Sequence, residues 1–187
     1  MLFAPDTMYS LAFTVDLLNT VPGATGSGTD EISTQEQLDV LLVKHQYSGR
    51  FDRDAAELAS VREIRARFRR IWMMPRDELV GEINAMLRDA NAQPQLRRHD
   101  GIDWHLHAVP LDAPLAQRME VESAMALLDV ARSNETSRMR HCEAFDCDGM
   151  LLDLSKNGSK RFCSVRCGNR MNMVAWRARQ GPGSESG

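Results

Sequence analysis

A mainly α-helical fold carrying a small β-hairpin (α+β), followed by a four-cysteine module, is what this 187-residue sequence predicts. Three observations lead there. Apolar residues recur at helical spacing in five stretches before residue 133, and the period shortens to two only between residues 95 and 110. All four cysteines fall after residue 141, in two close pairs.

Taken in order, residues 11–21 are apolar on two faces and predict a buried helix, interrupted by Asp16 and too short to span a bilayer. No lysine or arginine precedes Lys44, so the basic start of a secretory signal is missing, and a cytoplasmic protein with no membrane segment is expected. Residues 22–30 (Pro-Gly-Ala-Thr-Gly-Ser-Gly-Thr-Asp) read as a loop. Ser33 or Thr34 is then the N-cap of a helix. Glu36 and Gln37 lie three residues beyond, forming a capping box ahead of Leu38, Leu41 and Leu42.

The clearest helix spans residues 54–73, with Leu58, Val61, Ile64 or Arg65, Phe68 and Ile71 or Trp72 inward and Arg62, Arg65, Arg69 and Arg70 on the opposite face. Pro75 stops it. Asp77 is expected to cap the next, which reaches about Asn91 with Leu79, Val80, Ile83 and Leu87 inward. Ile102, Trp104, Leu106 and Ala108 then alternate with Asp103, His105 and His107, a half-buried strand whose histidines are expected to face solvent. Asp100-Gly101 marks a hairpin turn pairing that strand with residues 95–99. Helical spacing returns over residues 114–132 through Leu115, Met119, Met125 or Ala126 and Leu128. Residues 133–137 are polar and predict a linker, which divides the chain into an α-rich domain over 1–136, a finger over 137–180 and a disordered tail over 181–187.

The formal charge of −3 conceals an asymmetry. Residues 1–137 hold 14 basic and 21 acidic side chains, whereas residues 138–180 hold 9 basic and 4 acidic. An acidic body with a basic, cysteine-bearing end points to two jobs.

Cys142 and Cys147 are separated by four residues, Cys163 and Cys167 by three, and the pairs by fifteen. Two close pairs on a short connector describe a tetrahedral zinc site of four thiolates. Two disulfides, or reduced cysteines without metal, are the competing readings. The absence of any earlier cysteine and the expected reducing compartment favour zinc. Protein fills all four positions, so the ion is structural, and a segment of this size needs it to fold. His141 precedes the first cysteine but meets a filled shell. His105 and His107 share a strand face with no third ligand in view. With no nucleophile–base spacing, phosphate loop or second metal motif, no enzyme is expected.

Lys160-Arg161-Phe162-Cys163-Ser164-Val165-Arg166 leads into Cys167-Gly168-Asn169-Arg170, and Cys142-Glu143-Ala144-Phe145-Asp146-Cys147 lies upstream with Asp153 and Ser155 between. This order resembles the CGNR zinc finger over roughly residues 138–180, with Phe162 where a tryptophan is more usual. The stretch Leu11-Ala12-Phe13-Thr14-Val15-Asp16-Leu17-Leu18-Asn19-Thr20, with the later helix bearing Val61, Arg62, Ile64 and Arg65, resembles the ABATE domain found ahead of that finger in bacterial proteins. The resemblance implies a stress-related transcription regulator whose front domain senses a small-molecule effector.

A helix over residues 164–179 would turn Cys167, Met171, Val174, Ala175 and Ala178 inward. Arg166, Arg170 and Arg177 would share a second stripe, and Asn169, Asn172, Trp176 and Arg179 a third. Arginine and asparagine suit guanine and adenine edges in a major groove, and Lys156, Lys160 and Arg161 suit phosphates. The candidate DNA-binding residues are therefore Lys160, Arg161, Arg166, Asn169, Arg170 and Arg177. The same cations also offset the −2 charge of a zinc–tetrathiolate centre, so the two readings stand side by side. The modest positive charge predicts that specific recognition needs a homodimer or another contact surface. A protein–protein adaptor using Met171, Met173 and Trp176 is the alternative. In the front domain, Asp16 and Asn19 are candidates to line an effector pocket, with a capping role as the plainer reading.

Overall fold

Side chains that close the helix ends set the element boundaries in the computed structural model, which describes residues 3–98 and 103–180. Helix α1 (Pro5–Leu18) starts with proline at its first turn, where no amide donor is missed. Helix α2 (Gln35–Lys44) opens with Thr34 and Gln37 in the expected capping box. Asp54 caps α3 (Ala55–Ile71) by accepting from the Glu57 amide. Helix α4 (Arg76–Asp89) begins after Pro75 without a side-chain cap, so Asp77 sits in the first turn, favourable to the helix dipole rather than capping it. Asn91 and Asn134, at φ of 49° and 58°, take the left-handed conformation that ends α4 and α5 (Leu115–Arg132).

Strands β1 (Gln95–Arg97) and β2 (His105–His107) pair antiparallel with Leu96 opposite Leu106. After a short 3-10 turn (Thr136–Arg138), β3 (Met139–His141) pairs with β4 (Met150–Leu152), and α6 (Val165–Gln180) ends the described chain. Among the described residues the fold is therefore six α-helices with two small antiparallel hairpins, the mainly α class predicted. The expected turn at Asp100-Gly101, Ile102 and the tail over 181–187 lie outside the described residues. No described helix is long and apolar enough to cross a membrane.

Helix α5 packs against α1, α3 and α4 around a core that includes Leu11, Leu17, Phe68, Trp72, Ile83 and Leu127. Met139, Met150 and Leu152 of the second hairpin enter the same core, and α1 packs directly on β4. Covering each such side chain is worth about 1.5–3 kcal/mol, so the hairpin gains stability from the helices as well as from metal.

Val80 and the first hairpin differ from the expected inward faces, and Arg65, expected either inward with Ile64 or on the arginine face, takes the inward place. Arg65 is buried, its guanidinium paired in two-point fashion with Asp30 at 2.8 and 2.7 Å and donating to Thr20 Oγ1. Val80 is exposed and Met86 takes its place in the core. The hairpin is inverted: Trp104 and Leu106 are exposed, while His105 and His107 are half-buried and His107 approaches Glu122 of α5. Alternation specifies two faces, and the neighbouring carboxylate decides which one turns inward.

Candidate functional site

Each cysteine pair is brought to a point by a local turn. After β3, Cys142 donates its amide to the Gly149 carbonyl and Cys147 to the Ala144 carbonyl, closing the first loop. Ser164 caps α6, its hydroxyl accepting from the Cys167 amide, so Cys167 lies in the first helical turn, where the dipole favours a thiolate. Gly149 passes the cluster where a side chain would not fit: a Cβ there would stand 2.6 Å from Cys163 Sγ.

The four sulfur atoms all lie within 4.8 Å of one another. Cys163 Sγ is 3.6 Å from Cys147 Sγ and 3.7 Å from Cys167 Sγ. A zinc tetrahedron with bonds of about 2.3 Å has sulfur–sulfur edges of about 3.8 Å, which these separations match, whereas a disulfide needs about 2.05 Å. The donor set is four thiols with no other candidate ligand grouped among the described residues, which fits one structural zinc ion.

Without a cation two of these thiols resist ionisation. Burial pushes up the Cys147 and Cys163 thiols, and at Cys163 the surrounding thiols add to the rise. At Cys167 burial acts in that direction too, but hydrogen bonds with Ser164 and the neighbouring thiols outweigh it and bring the group to about 7. Four thiolates at this spacing need a dication. Around them, the Gly149 amide donates to Cys147 Sγ, the Cys163 amide to Cys142 Sγ, and Arg170 Nη2 to Cys167 Sγ at 3.6 Å. Phe162 packs on the cluster, filling the aromatic place.

The predicted DNA-facing residues divide. Arg170 is held by Asp146 at 2.6 Å as well as by Cys167 Sγ, the charge-offsetting arrangement. Arg161 pairs with Glu143 at 2.6 Å, and Arg166 donates to the Thr25 carbonyl in the loop after α1. Asn169, Arg177 and Lys160 are exposed. On α6 only Cys167 is buried, with Met171 packed against the cluster. Val174, Ala175 and Ala178, expected inward, are exposed because the helix runs past the body that would have covered them.

In the front domain, Asn19 ends α1 and binds the β4 backbone in both directions: its Nδ2 donates to the Met150 carbonyl and its Oδ1 accepts from the Met150 amide. Arg69 donates to the Leu18 and Asp148 carbonyls, and Asp148 donates its amide to the Gly23 carbonyl. Asp16 accepts from His45 Nε2 and Lys44 Nζ, each at 2.8 Å; burial opposes its ionisation, but these partners hold it below the usual carboxylate range. Asp16 and Asn19 border a pocket of about 420 Å³ with Gln37 and Lys44.

A larger cavity, about 570 Å³, lies elsewhere, between the start of α1, the segment after α2, the first hairpin and α5. Tyr9, Tyr47, Trp104 and Glu122 line it, none of which the sequence reading singled out as a ligand residue. Their separation along the chain hides them from sequence reading.

Compared with known families, residues 11–134 match the ABATE family, described as "Putative stress-induced transcription regulator", and residues 138–180 match the CGNR zinc finger. A comparison with curated proteins gives no match.

Proposed function

The chain belongs to the ABATE family and carries a CGNR zinc finger, and from that premise we propose that it is a transcription regulator that binds duplex DNA through α6. One observation carries this reading. Zinc anchors α6 at its first turn, and every residue from Asn172 to Gln180 is exposed on a helix that contains no acidic side chain. A free helix with Asn169, Asn172, Arg177 and Arg179 outward has the shape and donor chemistry for a major groove, and Lys160 lies in the connector for phosphate contact.

The front domain acts in this proposal as the sensor. Helix α1, about 21 Å long, has the cavity at its first turns and Asn19 on β4 at its last. A ligand that shifts α1 acts directly on the hairpin that carries the zinc loop.

The direct test is a gel shift with the zinc-loaded full chain at low salt. Salt-dependent retention of duplex is expected, with a slope set by the few phosphates neutralised. Failure to retain any duplex at low salt overturns the reading. Met173, Val174 and Trp176 are also exposed on α6, which favours a second reading in which the helix docks a protein. A protein partner captured in nuclease-treated extract, with no duplex bound, selects that adaptor role.

A further inference from the structure

The 570 Å³ cavity has the dimensions of a small-molecule site, and its chemistry narrows the ligand. Three of its lining side chains bear carboxylates, Asp6, Asp103 and Glu122, against one guanidinium, Arg118, and three imidazoles, His45, His105 and His107. Arg118 is already committed. It donates to the carbonyls of Ala113, Ser48 and Arg50 and stacks over the Tyr47 and Phe51 rings. Asp6 is engaged at the rim, accepting from the Thr7 and Leu106 amides. Glu122 stands in the floor on α5, with Oε2 accepting from the Tyr47 hydroxyl at 2.5 Å and Oε1 3.4 Å from His107 Nδ1.

The walls are apolar and aromatic, yet open. Tyr9 and Leu106 are each 43% exposed and Trp104 62% exposed, a cluster of large apolar side chains facing one hollow. Rings above a carboxylate floor suit a cation with a hydrophobic body. Aromatic rings attract positive charge, as the Arg98 guanidinium 5.5 Å from the Trp104 ring centroid already illustrates, and the Glu122 carboxylate supplies a counter-ion in a partly desolvated site. An anion would meet three carboxylates, while the one guanidinium has its donors turned to backbone carbonyls. The imidazoles are engaged as well, His45 with Asp16, His105 with the Asp103 carbonyl and His107, and His107 with Glu122.

We infer that this cavity binds an amphipathic organic cation, an amine or other onium with an aryl or bulky apolar body, its charge toward Glu122 and its body against Tyr9, Trp104 and Leu106. This rests on reading the front domain as a sensor, and it gives that sensor a ligand class.

The test uses two ions of the same shape and opposite charge, tetraphenylphosphonium and tetraphenylborate, titrated calorimetrically into the zinc-loaded full chain. The phosphonium is expected to bind at least about tenfold more tightly, a difference of about 1.4 kcal/mol. Glu122→Gln keeps an acceptor for Tyr47 and is expected to weaken the phosphonium by about tenfold while leaving the borate unchanged or tighter. Trp104→Ala, at an exposed position that leaves the fold intact, is expected to weaken the phosphonium as well; thermal melts confirm folding of both variants. Equal binding of the two ions, or phosphonium binding indifferent to Glu122→Gln, overturns the inference. A parallel gel shift separates the two proposals. Duplex binding without a Glu122-dependent cation site leaves the regulator reading standing and removes this one; the reverse removes DNA binding and keeps the cation site.

Discussion

The Asn19 carboxamide and the Met150 peptide form a reciprocal pair, at 2.8 Å in one direction and 2.7 Å in the other, joining the end of α1 to the second hairpin. These groups lie 131 residues apart in sequence. The pair, the Arg69 contacts and the buried Met150 and Leu152 make the hairpin part of the helical body.

Asn19→Ala should destabilise the chain by about 1–3 kcal/mol, because the Met150 amide and carbonyl lose their partner in a largely buried place. Urea denaturation measures the loss. Hydrogen exchange at the Met150 amide should accelerate, and Asn19→Asp, which retains the acceptor alone, should fall between. Unchanged exchange in Asn19→Ala means that the hairpin is held by zinc and core contacts without this clamp.

Chelating the zinc should melt α6 and the cysteine loop while sparing α1 to α5, since the finger's contact with the larger core runs through Met139, Met150 and Leu152 rather than α6. Far-ultraviolet circular dichroism should show partial helix loss, and a metal-sensitive dye one released zinc per chain. Gly149→Ala should release zinc at lower chelator concentration, as a methyl cannot sit 2.6 Å from the Cys163 sulfur without displacing it.

The metal ligands and the Thr34–Gln37 capping box were legible because both signals are local: spacing alone places the groups. Long-range partners were not. The sequence offers Arg65 both to the inward stripe and to an arginine-rich face, and only the fold supplies Asp30, 35 residues away, as the partner that settles it inward. Periodicity marked Val174, Ala175 and Ala178 as a stripe, but a period reports a face, not whether a neighbour exists to cover it. The His105 and His107 strand shows the same limit, since alternation leaves the choice of inward face to Glu122 on α5.

Acid should expose the Asp30–Arg65 pair. The Arg65 hydrogen bonds hold the Asp30 carboxyl below its ordinary value, and burial opposes them only in part. A folded-state value depressed below the unfolded one gives stability that is fully present above the unfolded value, about 3.9, and is lost as pH falls through the folded value. Asp30→Asn should therefore flatten the difference in urea midpoint between neutral pH and pH values below about 4. At neutral pH it should cost on the order of 2 kcal/mol, less than a fully buried pair because the Asp30 side chain is 19% exposed. A wild-type acid dependence that survives Asp30→Asn assigns the effect to other carboxylates.

Arginines on α6 that look alike in sequence should behave differently on substitution. Arg170 spans Asp146 and the Cys167 sulfur, so its positive charge already serves the metal centre. Arg177 is exposed, six residues beyond Met171, the last α6 residue packed on the cluster. Arg170→Ala should weaken zinc retention and lower thermal stability, with DNA affinity falling as a consequence of a looser helix. Arg177→Ala should leave zinc content and melting unchanged, yet lower duplex affinity and reduce the salt slope by about one if it touches a phosphate. If instead it reads a base, the loss should be about 1–3 kcal/mol on the preferred sequence alone. Comparing the two variants in one set of gel shifts, with zinc measured on the same samples, separates charge that holds the finger together from charge that faces the duplex. Equal loss of zinc in both would place Arg177 with the metal centre and take it off the DNA face.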